Sequence, residues 1–97
     1  SDTTIKKLMN ACTEYVRADY ETLITKGSIH VHTDLETSYL EEMKDQTFWA
    51  LFIHLGYLTI VEKIDMDYYK VRISNNEMKK ALKDLEVYIL ANKNIKI

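Results

Sequence analysis

Ninety-seven residues, 46% hydrophobic and 29% charged, suffice for one folded domain with its own core and exclude a disordered chain. A net charge of −2 gives no overall drive toward nucleic acid or acidic membranes, and the single cysteine, Cys12, excludes an internal disulfide framework. A lone thiol fits a reducing compartment, and with no legible signal peptide, transit peptide or membrane segment a cytoplasmic setting is expected.

The first helix is predicted over about Thr3 to Lys26. Ile5, Leu8, Met9, Cys12, Tyr15, Val16, Tyr20, Leu23 and Ile24 recur at three- and four-residue steps, and Lys26-Gly27 supplies a cationic end with a glycine stop. Cys12 on that face reads as a buried, inert thiol. Because the helix begins so near the first residue, the chain is expected to be a segment of a larger, multidomain protein. Ser28 to Thr33 alternates, with Ile29 and Val31 to one side and His30 and His32 to the other, a short strand with one buried face. His30 and His32 also have the spacing of two metal ligands on one strand. A zinc site needs three or four, and no third lies nearby in sequence, so two solvent-side histidines are the simpler expectation. Ser38 with Glu41 forms a capping-box pattern that opens a short helix, Tyr39 to about Lys44.

The central stretch is Thr47 to Ile60, TFWALFIHLGYLTI. Nine of its fourteen residues are large and apolar, and none carries a formal charge with His54 neutral. A helix apolar nearly all round belongs in a core, and this one is far shorter than the roughly 20 residues of a membrane span. Asp45 is placed to cap it, and Gly56 supplies the left-handed residue that ends it. Tyr57 to about Ile64 then reads as a core strand. Asp65-Met66-Asp67 makes a turn, and Tyr68 to Ile73 returns with Tyr69, Val71 and Ile73 inward. Ser74 with Glu77 is a second capping box. It opens a last helix whose apolar stripe is Met78, Ala81, Leu82, Leu85, Tyr88 and Ile89, with Lys79, Lys80, Lys83 and Glu86 facing water.

The resulting order, α-β-α-α-β-β-α, predicts an α+β, winged-helix-like domain over residues 1–97, a small antiparallel sheet packed on helices with the first strand at the edge of the hairpin. Winged helices often read DNA through the helix before the wing. Here that helix, Thr47 to Leu55, has no cation to offer bases or phosphates. Cations concentrate later: seven against three acids from Lys70 onward, six against twelve before it. Lys63, Lys70 and Arg72 on the hairpin, with Lys79, Lys80 and Lys83 on the last helix, are the candidate phosphate contacts. A solvated helix face is the plainer account of the last three.

Gly56-Tyr57-Leu58-Thr59 and the later run Tyr69-Lys70-Val71-Arg72-Ile73-Ser74-Asn75-Asn76-Glu77 resemble the middle region of bacterial AAA-ATPase-like proteins that carry a C-terminal PD-(D/E)XK nuclease-like domain. Members show Ser-Gly-Tyr-Leu-Thr and a strand ending in Ile-Pro-Asn; Leu55 stands here for the serine and Ser74 for the proline. Ile5-Lys6-Lys7-Leu8 and Gly27-Ser28-Ile29 also look alike, so the resemblance covers nearly the whole chain. It implies a connector or interaction domain, with neighbouring domains of the parent chain or another protein as partners. ATP and Mg²⁺ are implied for the parent only. A phosphate-binding loop needs glycines this chain does not have, and no acid followed by Glu/Asp-x-Lys falls on a strand, so no catalytic, cofactor or metal residue carries over. The alternative is sequence-nonspecific contact with nucleic acid through the wing and last helix. A small autonomous enzyme is third, with no nucleophile, base and orienting group in view.

Overall fold

The computed structural model describes residues 14–36 and 45–95. Six elements follow in chain order: α1 (Glu14–Lys26), β1 (Ser28–His32), α2 (Asp45–His54), β2 (Leu58–Asp65), β3 (Tyr68–Ile73) and α3 (Asn76–Ile95). The expected helix from Tyr39 to Lys44, its Ser38–Glu41 box, and the start of the first helix with Cys12 lie outside the described residues. Among those described the architecture is α+β: three helices and a three-stranded antiparallel sheet of order β1-β3-β2. None of the described helices is long and apolar enough to cross a membrane.

α2 is the packing centre, as its uncharged stretch from Thr47 onward requires. Phe48, Trp49, Ala50, Leu51 and Phe52 are all buried, while Leu55, counted in the apolar stripe, turns outward at 42% exposure. Asp45, expected as the cap, already lies within the helix. The helix ends in a Schellman arrangement. The Tyr57 amide donates to the Phe52 carbonyl at 3.0 Å and the Gly56 amide to the Ile53 carbonyl at 3.1 Å, with Gly56 at φ +87°. The Tyr57 ring closes over Phe52 at a centroid distance of 5.5 Å, the apolar contact that accompanies this cap. A Cβ at Gly56 would meet nothing within 4 Å, so only the left-handed backbone resists a side chain there. Gly56→Ala is therefore expected to lower stability by about 1–2 kcal/mol without altering the fold. Urea denaturation measures it, and an unchanged midpoint would show that the cap relaxes freely.

α1 also ends at a left-handed glycine, but in the simpler αL arrangement, with Gly27 at φ +86° donating its amide to the Leu23 carbonyl at 2.7 Å. Its buried side is Val16, Tyr20, Leu23 and Ile24. Tyr15, read as part of that stripe, is 83% exposed: it sits one residue outside the face that meets the sheet. Tyr20 holds the helices together. Its ring lies 6.2–6.4 Å from those of Phe48, Trp49 and Phe52, and its buried hydroxyl donates to the Leu82 carbonyl of α3 at 2.7 Å. Burial raises the Tyr20 phenol well above its usual range, with Glu86 and Tyr57 pushing the same way, so it remains a donor.

β1 behaves as its alternation predicts, Ile29 and Val31 inward and His30 and His32 outward. β3 buries Tyr69 and Val71, and Ile73 is half-buried. β2 corrects the expectation of a core strand, because only Leu58 at its start is buried. It is an outer strand, and its register slips between Ile60 and Glu62 and again between Lys63 and Asp65. An apolar run at a sheet edge, bent by two bulges, extends past the helices that would cover it. Val61 is left 50% exposed, and Ile60 and Ile64 are also exposed.

α3 starts one residue later than the Ser74–Glu77 box implies. The Asn75 side-chain oxygen accepts from the Met78 amide at 2.9 Å, so Asn75 is the cap. Ser74 serves the strand ends instead: its amide donates to the Tyr57 carbonyl and its hydroxyl shares a 2.8 Å hydrogen bond with Thr59. Leu82 and Leu85 reach the core, and Lys80 and Lys83 face water as expected. Lys79 and Glu86 are half-buried. For Tyr88 and Ile89 only the backbone is described.

Candidate functional site

The two faces of the sheet differ in chemistry because residues opposite one another on adjacent strands share a face. Ile29, Val31, Tyr69 and Val71 pack with the helices on the inner side. The open face is built in rows: Ser28, Arg72 and Thr59; His30, Lys70 and Glu62; His32, Tyr68 and Asp65. His32 stacks on Tyr68 at 4.2 Å between centroids, and His30 lies 6.0 Å from the same ring.

The six candidate phosphate contacts do not form one surface. Lys70 and Arg72 share the open face, but Lys70 has Glu62 directly across from it on β2. Arg72 folds back, its Nη1 donating to the Ile73 carbonyl at 3.1 Å and the Ser74 carbonyl at 3.0 Å, which ties down the end of β3. Lys63 lies on the opposite side, across from Tyr69, where it lines a hollow with Asp34, Glu36 and Asp67. A regular ladder continued from Leu58 would have set Lys63 opposite Tyr68, on the open face. The bulge at Val61 turns it over. Lys79, Lys80 and Lys83 stay together on α3, which packs against α1 on the inner side of the sheet.

His30 and His32 do share one face, as expected. Among the described residues there is no group of three or more His, Cys, Asp or Glu that could hold a metal. His54 is exposed and its Nε2 lies 3.0 Å from the Leu35 carbonyl, so it ties the end of α2 to the segment after β1.

Two carboxyl groups are perturbed. Burial raises the Asp19 carboxyl, and no neighbouring charge among the described residues offsets it. Burial also raises Glu86, with Glu21 adding to the effect and Lys83 opposing it. A carboxyl whose folded value lies above its unfolded one disfavours folding once ionised. The Glu86 penalty is thus fully present above the folded value and vanishes as pH falls below the ordinary value of 4.5. Glu86→Gln is expected to raise the melting temperature at pH 7, with the difference shrinking through the carboxylate range. A variant that melts lower than the parent at pH 7 would refute this account.

A hollow of about 340 Å³ escaped the sequence reading. It lies beside β1 and is lined by residues that include Tyr15, Val16, Asp19, His30, His32 and Trp49. Most of its lining comes from the consecutive elements α1 and β1, and α2 adds Trp49. The one local signal was Tyr15 and Asp19, one helical turn apart on α1. No protein-family model, curated protein or solved structure matches this chain.

Proposed function

We propose that this chain is a non-catalytic connector or interaction domain of an AAA-type ATPase, working in the cytoplasm against neighbouring domains of its parent or another protein. The observation that carries this reading is the apolar strip along the hairpin: Ile60, Val61 and Ile64 on β2, with Met66 at the turn 80% exposed. Exposed large apolar side chains on an outer strand, even interspersed with Glu62, Lys63 and Asp65, make a surface suited to protein contact. The resemblance carried by Gly56-Tyr57-Leu58-Thr59 and Tyr69 to Glu77 points the same way. ATP and Mg²⁺ belong, in this reading, to the parent protein alone.

Calorimetric titration of the domain with separately expressed flanking segments of its parent tests the proposal. Micromolar binding is expected, weakened at least about tenfold by Val61→Asp with Met66→Asp, variants at exposed positions that leave the core untouched. The domain by itself is expected neither to hydrolyse ATP nor to cut DNA, and turnover reproduced in a second independent preparation would overturn that. The second reading, phosphate contact, is favoured by Lys80 and Lys83, exposed within one turn of α3 beside Lys79. Three to five neutralised phosphates would give a log-log salt slope of roughly −3 to −4. Micromolar binding to duplex DNA near physiological salt, lost on charge reversal of Lys79, Lys80 and Lys83, together with no heat from the flanking segments, would promote this reading over the first.

A further inference from the structure

β1 is an outer strand, and its hydrogen-bonding phase can be read from its two ends. The Ile73 amide donates to the Gly27 carbonyl, and the Thr33 amide donates to the Asp67 carbonyl. Ile29 and Val31 thus turn their amides and carbonyls toward β3, and Ser28, His30 and His32 turn theirs to the outer edge, which is free among the described residues.

The two edges of the sheet are built differently. β2 carries two bulges along with Glu62, Lys63 and Asp65, features that discourage another strand from adding to it. β1 runs in unbroken register and contains no Pro, Lys, Arg, Asp or Glu. The hollow opens beside this unguarded edge. Val16 and Trp49, both buried, make an apolar floor. Tyr15 and Asp19 stand one turn apart on α1 above it, and among the described residues the Asp19 carboxylate is the one lining group with a full charge when the histidines are neutral.

We propose that the free edge of β1 and the adjoining hollow form a strand-addition site for an extended peptide carrying an apolar and a cationic side chain two residues apart. The proposal rests on the interaction-domain reading and names the chemistry of the partner. Main-chain hydrogen bonds to Ser28, His30 and His32 supply the pairing, and alternate side chains of the incoming strand share one face. On the helix side of the sheet, one such side chain enters the hollow over Val16 and Trp49. The next on that face reaches Asp19, whose carboxylate has no cation beside it among the described residues. Charge complementarity thus selects a basic partner segment.

Trp49 is the only tryptophan, so its emission reports on the hollow. The probe is the blocked peptide acetyl-Thr-Val-Thr-Lys-Thr-amide, titrated against the 97-residue chain. A saturable shift in Trp49 emission is expected. Replacing the peptide's lysine with glutamate, or Asp19→Asn in the protein, should weaken binding about two- to fivefold, and Lys80→Ala on the far helix should leave it unchanged. The same peptide N-methylated at the amides that would pair with β1 should not bind. Thermal melts of the variants establish that each is folded. No shift at millimolar peptide, or an equal shift with the N-methylated peptide, would overturn the site, as would a concentration-dependent dimer that shields the β1 amides from hydrogen exchange. If the peptide fails while flanking segments still bind in calorimetry, the edge site falls and the interaction-domain reading stands.

Discussion

Phe52→Ala is expected to cost about 3–5 kcal/mol, a large part of the stability of a domain this size. Phe52 is completely buried on α2, with the Phe48 ring 4.9 Å away, Trp49 and Tyr20 at 6.2 Å, and the Tyr57 ring closing its far side at 5.5 Å. The cavity left by the ring would be walled by other rings that cannot collapse without leaving their own partners. It would also remove the apolar contact that closes the α2 cap. Denaturation in urea measures the loss, and a midpoint equal to that of the parent would mean that this helix is not the core.

Tyr20→Ala is expected to be comparably severe, at about 3–5 kcal/mol, because it removes a ring that touches three aromatic neighbours and the hydrogen bond that joins α1 to α3. Tyr20→Phe keeps the ring and deletes only the hydroxyl, and should cost about 1–2 kcal/mol. The difference between the two variants separates packing from the hydrogen bond to Leu82. Equal losses would place nearly all of the stabilisation in that one bond, and no loss in Tyr20→Phe would remove it as a link between the helices.

The features most legible in the sequence were those fixed by local chemistry. The uncharged stretch from Thr47 to Gly56 announces both the burial of its helix and its cap within ten residues, and Ile29 and Val31 announce the inner face of β1 by simple alternation. The expectations that changed depended on what lies beside an element in space. β2 has the composition of a core strand, yet it occupies an edge, and strand order is a property of the whole sheet. Ser74 and Glu77 have the right spacing for a capping box. Ser74 is drawn instead to Tyr57 and Thr59 across the strand ends, which leaves Asn75 as the nearest side chain able to cap α3. Lys63 was grouped with Lys70 and Arg72 as a candidate contact on the hairpin, and one extra residue at Val61 moved it to the other face. The hollow beside β1 was the least legible feature: α1 and β1 are neighbours in the chain, but the way they close on each other and on Trp49 is set by the packing of the whole domain.

The placement of β3 between the other two strands also has a consequence for the order in which the chain folds. β2 and β3 are joined by a two-residue turn, so they can pair as soon as both exist. β1 precedes them by a long stretch of chain, yet among the described residues its only hydrogen-bonded neighbour is β3, the last of the described strands to be made. On a ribosome, β1 would therefore emerge early and wait with neither edge satisfied until Tyr68 to Ile73 had cleared the exit tunnel. The hairpin should form first and the long loop to β1 close afterwards, which makes that closure the entropically costly step of assembly.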